Sequence, residues 1–87
     1  MNELRLRADA LVWREIDNEL VAVDMASSAY LSANQTGAML WQMLAAGTTR
    51  RELVERLVER FGISSEQAQS DVDVFVQDLK ARELLAE

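Results

Sequence analysis

The sequence contains no cysteine, no histidine and no proline among its 87 residues. Without Cys and His, the usual ligands of zinc, haem and iron–sulfur sites are missing, as is a thiol nucleophile. Acid–base catalysis by histidine is excluded as well. The spacing of Asp and Glu places no two of them beside a predicted cavity. We therefore predict that the chain is not an enzyme, assign no catalytic residue and expect neither a metal nor a cofactor.

Long hydrophobic runs and an excess of basic charge are also lacking. No stretch of 18 apolar residues occurs, and no charged segment followed by an apolar one opens the chain. Neither a membrane span nor a signal peptide is predicted, and we expect a cytoplasmic location. The formal charge is −6, from 15 acidic and 9 basic residues. Because nucleic-acid binding depends on clustered Lys and Arg, a cationic or neutral partner is favoured over a nucleic acid.

The length suits one small domain over residues 1–87. A chain of this size buries roughly 60–65% of its extended surface on folding, which allows a core but no enclosed cofactor cavity. The first third predicts strands over residues 11–15 and 19–24. Asp17-Asn18 between them tolerates the positive φ of a tight hairpin. A third short strand, at about residues 29–32, is predicted to return alongside the second.

From Asn34 the apolar period changes to that of a helix. Asn34 is a predicted N-cap, and Gly47 is predicted to end the first helix in the left-handed conformation. Thr49 and Glu52 have the spacing of a capping box that starts a second helix. The third helix is predicted from about residue 65 to residue 82. We therefore predict an α+β, winged helix-turn-helix-like fold, with a three-stranded antiparallel sheet followed by three helices.

One segment of this predicted fold looks unprotected. Residues 25–33 contain no charge and no proline, although they include a strand at the edge of the sheet. Natural edges are usually blunted by such residues because their free N–H and C=O groups can pair with another strand. The segment favours β-augmentation, in which a partner peptide pairs with the edge. The alternative is a strand too short to need protection, or one that the chain's own tail covers.

On the third predicted helix, one apolar face is predicted to pack on the core, and charged residues lie beside it. This face, the core stripe, comprises Ala68, Val72, Phe75, Val76 and Leu79. Beyond its Phe75 side lie Asp71, Asp78 and Arg82, with Val74 further round. Carboxylates near an exposed Val suit a peptide with apolar anchors and a Lys or Arg. The alternative is that these residues are ordinary solvated surface.

These residues resemble a known family. The resemblance is carried by residues 13–24, Gly47-Thr48, Glu52-Leu53 and above all the run Tyr30-Leu31-Ser32-Ala33-Asn34-Gln35-Thr36-Gly37-Ala38-Met39-Leu40-Trp41. Together they are similar to the PqqD-like family, the precursor-peptide recognition elements of ribosomally synthesised, modified peptides. One departure is Ala33, where the family commonly has Leu. The smaller side chain is expected to loosen the packing of strand against helix.

The resemblance implies a non-catalytic adaptor that binds the leader segment of a precursor peptide as an added antiparallel strand, in a groove beside the third helix. The implied peptide-binding residues are Ser28, Ala29, Tyr30, Leu31 and Ser32 on the strand, and Asp71, Val72, Val74, Phe75 and Asp78 on the helix. A free-standing element of this kind is typical of lasso-peptide biosynthesis. The implied partners are then a leader with a Tyr-x-x-Pro motif, a separate leader peptidase and a cyclase.

Three alternatives stay open at this point. One is a chaperone for another modified peptide, such as pyrroloquinoline quinone, working with a radical SAM enzyme. Another is a winged-helix DNA-binding regulator, although residues 65–82 carry four acidic residues against two basic ones, which opposes entry into a DNA groove. The third is a subunit that assembles with a larger enzyme through the same sheet edge.

Overall fold

The computed structural model describes residues 3–7, 9 and 11–86 of the chain. Its elements are, in order, β1 (Glu3–Leu4), β2 (Leu11–Ile16), β3 (Glu19–Asp24), β4 (Ala29–Ala33), α1 (Gln35–Ala46), β5 (Thr48–Thr49), α2 (Arg50–Phe61) and α3 (Ser65–Ala81). Strands β2, β3 and β4 form a three-stranded antiparallel sheet in that order, followed by the three helices. The predicted fold class is therefore confirmed, and β4 is an edge strand.

The sheet is built on the predicted hairpin. Asp17 and Asn18 have φ values of 53° and 68°, the two positive angles that a type I′ turn requires. Strand β3 alternates between two faces of the sheet: Leu20, Ala22 and Asp24 are buried, whereas the residues between them are not. One face of the sheet therefore packs on the helices, and the other is open to solvent.

The helices begin where their capping residues predict. Asn34 accepts a hydrogen bond from the Gly37 N–H at 3.0 Å, and Thr49 forms a full capping box with Glu52. Gly62 ends α2 in the left-handed conformation. Gly47 differs from the prediction, because its φ of 91° and ψ of 125° lie outside that region. The positive φ alone still favours glycine at this position.

The core lies where the inner face of the sheet meets the three helices. Its largest fully buried side chains are Trp41, Leu20, Leu40, Leu44, Leu53, Leu57, Leu79 and Val72. Trp13 is only half-buried and meets Trp41 edge-on, with ring centroids 6.1 Å apart. Trp41 therefore lies within the core, whereas Trp13 packs at its boundary.

The sequence patterns did not predict how the chain ends come together. Strand β1 pairs with β5, and Leu6 forms a bridge with Leu85. The Arg7 N–H donates to the Leu84 carbonyl at 2.8 Å, and the Ala86 N–H donates to the Arg5 carbonyl at the same distance. Residues 3–7, the N-terminal segment, therefore lie between β5 and residues 84–86, the tail. The described tail residues pair with this segment and not with β4.

A partly buried ion pair joins the N-terminal segment to the sheet. The Nη2 atom of Arg7 lies 2.8 Å from Oδ1 of Asp24, and the same carboxylate oxygen accepts from the Ala26 N–H at 3.1 Å. The Arg7 guanidinium beside Asp24 holds the pKa of that carboxyl below its usual range, although burial opposes the shift. The charged carboxylate therefore stabilises the fold.

This pair predicts a pH-dependent effect of Asp24→Asn. A lowered folded-state pKa contributes stability above the ordinary carboxyl pKa of about 3.9, and that contribution disappears as the pH falls through the folded-state value. We expect Asp24→Asn to lower the urea midpoint at pH 7 and to change it far less near pH 3. Asp9→Asn, at an exposed carboxylate 3.6 Å from Arg7, is the control with little effect. An equal Asp24→Asn effect at both pH values would contradict the prediction.

Candidate functional site

The register of the sheet determines which main-chain groups of β4 are free. A two-residue hairpin makes Ile16 and Glu19 a hydrogen-bonded pair, and such pairs alternate along antiparallel strands. The main-chain groups of Leu20, Ala22 and Asp24 therefore point toward β4, opposite Ala33, Leu31 and Ala29, respectively. Between these positions, Tyr30 and Ser32 direct their N–H and C=O groups to the outer edge of the sheet.

That outer edge is open along β4. Within the part of the chain that the structure describes, no strand pairs with this side of β4. The strand has no charged residue or proline that would block pairing. Tyr30 and Ser32 thus offer two N–H and two C=O groups to an extended chain.

The side chains of β4 alternate across the sheet. Tyr30 is 66% exposed and lies opposite Val23 on the outer face. Leu31 and Ala33 are partly buried and pack against the core. On the inner face of the sheet, the space beside the free edge of β4 is therefore bordered by α3. On the outer face, it is open to solvent.

A groove of about 690 Å³ runs between β4, the start of α1 and α3; we call it the edge groove. It is lined by Leu31, Ser32, Ala33, Asn34, Thr36, Gly37, Leu40, Asp71, Val74, Phe75, Asp78, Leu79 and Arg82. The free main-chain groups of β4 and the side chains of one face of α3 therefore border the same space. An extended peptide paired with β4 would rest against α3.

The floor of the edge groove is closely packed. A Cβ atom added to Gly37 would lie 2.8 Å from the Cβ of Ala33 and 3.3 Å from Cε1 of Phe75. A side chain at Gly37 would force β4 and α1 apart and press on the Phe75 ring of α3. The looser packing expected from Ala33 is therefore not observed, because this small side chain fits closely against the glycine.

The rim of the edge groove on α3 combines apolar and charged groups. Val74 is 69% exposed. Asp71 accepts a hydrogen bond from Nε2 of Gln67 at 2.8 Å, and both carboxylate oxygens of Asp78 lie 3.2 Å from Nε of Arg82. Two carboxylates and one guanidinium leave this rim with a net negative charge. Such a rim favours a peptide that offers a basic side chain.

The structure brings together most of the predicted peptide-binding residues. Those that line the edge groove are Leu31, Ser32, Asp71, Val74, Phe75 and Asp78. Ala29 and Tyr30 instead line a neighbouring smaller pocket, which Leu31 also borders.

Two of the predicted positions need correction. Ser28 is not on the strand: it lies in the preceding turn with φ of 64°, and its N–H donates to the Asp24 carbonyl at 2.7 Å. Its main chain is therefore already engaged. Val72 is fully buried and lies in the core, not on the wall of the groove. Helical periodicity correctly predicts Val72 as a core residue. Its assignment to the wall of the groove is wrong.

Several groove residues were missed from the sequence. Ala33, Asn34, Thr36, Gly37 and Leu40 come from the end of β4 and the start of α1. All five lie within the run from Tyr30 to Trp41, which is the signal that could have identified them. Leu79 was assigned to the core stripe alone. Arg82 lies on the predicted helix border with Asp71 and Asp78, but it is not among the predicted peptide-binding residues.

Other kinds of site find no support among the described residues. No three acidic side chains there come together in a cluster that could hold a metal ion. None of the described helices has the length and apolar character that crossing a membrane requires. What the arrangement offers is main-chain hydrogen bonding along β4 and an adjacent groove for side chains.

Solved structures similar to this chain cover nearly all of it. One, described as "TbiB1 in Complex with the TbiA(beta) Leader Peptide", has a TM-score of 0.85 and 25% identity over 93% of both chains. Another, described as "Lasso peptide synthetase B1 complexed with the leader peptide", has a TM-score of 0.84 and 24% identity, over 97% of this chain and 98% of the other. At 24% identity, the likeness to the lasso peptide synthetase B1 structure shows a shared fold.

The family itself is identified from the sequence. Comparison with curated proteins gives no match. Residues 19–85, from β3 to the tail, match the family described as "Coenzyme PQQ synthesis protein D (PqqD)". This match spans most of the sheet, all three helices and every residue of the edge groove. The chain therefore belongs to the PqqD family.

Proposed function

We propose that this chain is a non-catalytic adaptor that binds the leader segment of a ribosomally synthesised precursor peptide. The leader pairs with the free edge of β4 as an additional antiparallel strand and rests in the edge groove beside α3. The observation that carries the proposal is the unpaired edge of β4 next to that groove. Main-chain pairing supplies affinity, and the groove supplies selectivity for side chains.

The charges and shape of the groove define the kind of leader that fits. Apolar side chains enter between Leu31 and Phe75, and a Lys or Arg lies near Asp71 and Asp78. We expect a Tyr-x-x-Pro motif in the leader. Proline is compatible with the first paired position of an added strand. The tyrosine, three residues earlier, would then occupy the far end of the groove near Thr36.

The similar structures support a role in lasso-peptide biosynthesis, since both hold leader peptides and one is a lasso peptide synthetase B1. The adaptor, a single domain over residues 1–87, would present the leader to a separate leader peptidase and a cyclase in the cytoplasm. The pyrroloquinoline quinone and DNA-binding alternatives have less support. In particular, α3 exposes Glu66, Asp73 and Asp78, which repel the phosphates of DNA.

A titration tests the proposal directly. The probe is a synthetic peptide with the leader sequence of the short precursor encoded beside this chain's gene. We expect a Kd in the roughly micromolar range or below. Backbone amide shifts should concentrate at Tyr30, Ser32 and the groove side of α3. Saturable shifts around Arg50 and Asp73, on the opposite side of α3, would contradict the proposed site, and no binding would contradict the function.

Asp78→Lys tests the acidic rim. Reversing this charge should weaken binding of a leader with a basic residue by about threefold to tenfold. The effect is modest because an ion pair between Asp78 and the leader would be exposed and partly screened by solvent. Asp73→Lys is the matched control: it makes the same change in net charge on α3, where Asp73 pairs with Arg50 away from the groove. Equal affinities of the two folded variants would show that the rim does not select for basic residues.

A further inference from the structure

A second, smaller pocket of about 130 Å³ adjoins the start of β4. Its walls include Leu11, Ala22, Ala29, Leu31, Arg82 and Leu84. We call it the tail pocket, because Leu84 of the tail closes one side of it. Two of its walls, Leu31 and Arg82, also line the edge groove. The tail pocket and the edge groove are therefore neighbours that share these two residues.

The chemistry of the tail pocket favours an apolar occupant. Most of its walls are aliphatic, and the one carboxylate, Asp24, is already engaged by Arg7 at 2.8 Å and by the Ala26 N–H at 3.1 Å. A cavity of about 150 Å³ accommodates a molecule of the size of benzene. The tail pocket therefore has room for one side chain.

The register of β4 indicates where this side chain comes from, provided that the proposed strand addition is correct. Directly opposed residues of antiparallel strands point to the same face. A guest residue opposite Ala33 therefore faces the edge groove, and one opposite Ala29 faces the tail pocket. The bound peptide runs antiparallel to β4. Its residue at the tail pocket therefore lies four positions closer to the peptide's C-terminus than its residue at the edge groove.

We propose that the tail pocket is a second anchor site, which takes one apolar side chain of the bound peptide four residues after the side chain in the edge groove. Selectivity then depends on one further peptide position, downstream of those that the edge groove contacts. Arg82 and Leu84, which follow α3, become specificity-determining residues. The inference rests on the proposed peptide binding but concerns a separate pocket.

The experiment is a selection of random 12-residue peptides, displayed on phage, against the immobilised full chain. We expect enriched peptides to carry apolar residues at two positions four apart. In the tightest-binding peptide, glycine at the downstream position should weaken binding about tenfold, as expected for loss of a buried apolar side chain.

The variant Ala29→Leu isolates the tail pocket. Ala29 is exposed at the start of β4, so a larger side chain can fill the pocket while the main-chain pairing with Asp24 stays in place. Selection against this variant should retain the upstream apolar position and lose the downstream one. The glycine substitution should then have no effect on affinity. Ala45→Leu, at an exposed position of α1 outside both pockets, is the matched control that keeps both preferences.

The outcomes separate this inference from the proposed function. If no peptide is enriched, peptide binding itself fails. If enriched peptides show no apolar preference four residues after the position in the edge groove, or show one that Ala29→Leu leaves unchanged, the tail pocket is not an anchor site although the peptide-binding function stands. A downstream preference that disappears only in Ala29→Leu supports the second anchor.

Discussion

Replacing Tyr30 with proline is expected to weaken leader binding by about 10-fold to 100-fold while the protein stays folded. The Tyr30 N–H points to the free edge, so its loss removes no hydrogen bond to β3. It does remove a donor to the guest strand and leaves a guest carbonyl unpaired, at a cost of about 1–3 kcal/mol. Titration of the leader peptide measures the affinity, and urea unfolding measures the stability.

Two variants make the Tyr30→Pro result interpretable. Tyr30→Ala keeps the N–H and loses only an exposed ring, so we expect much less loss of affinity. Leu31→Pro, one residue along, removes an N–H that pairs with β3 and should strongly destabilise the fold. If Tyr30→Pro binds the leader as tightly as the unchanged protein, main-chain pairing on β4 is refuted.

Phe75→Ala is expected to reduce both stability and binding. The ring is partly buried against the core, lines the edge groove and closes over Gly37. Its removal should lower the free energy of unfolding by about 2–4 kcal/mol. This loss is somewhat smaller than for a fully buried Phe, because part of the ring is exposed. Leader affinity should fall more than tenfold, since the groove loses its largest apolar wall.

A neighbouring residue separates these two effects. Val74 borders the same groove but is 69% exposed, so Val74→Ala should change stability by no more than about 0.5 kcal/mol. It should still weaken the leader's affinity by a small factor. Phe75→Leu, which retains apolar volume, should recover part of both losses. Full affinity in a folded Phe75→Ala protein would place the peptide away from the groove.

Local signals predicted the helix starts and the hairpin well. Asn34 and Thr49 each cap the helix that follows, and Asp17-Asn18 forms the turn that its residue types favour. Each of these features depends on a few neighbouring residues, so the sequence contains the full cause. The open edge of β4 was predictable for the same reason, from a segment without charge or proline.

Long-range contacts were less predictable. Strands β1 and β5 have two residues each, too few to show an alternating pattern. The bridge between Leu6 and Leu85 joins opposite ends of the chain, and no local pattern indicates it.

The boundary between core and groove on α3 was also hidden. Helical periodicity places Val72 and Phe75 on one stripe, yet only Phe75 reaches the groove. Which residues of this apolar face of α3 reach the groove depends on how closely β4 approaches α1. Gly37 permits a close approach, but its place in the sequence does not show this. The tail pocket similarly requires Leu11, Leu31 and Leu84 to meet, which only the folded chain shows.

The pairing of the tail with the N-terminal segment has a consequence for the thermodynamics of association. Beyond Ala81, where α3 ends, the chain continues through Glu83, with φ of 59°, into residues 84–86, whose main chain is hydrogen-bonded to that of Arg5 and Arg7. The C-terminal end of α3 is thus tethered by this pairing, and at its first turn Ser64 accepts a hydrogen bond from the Gln67 N–H. A preorganised wall gives up little conformational entropy when a ligand arrives, so the entropic penalty falls mainly on the peptide.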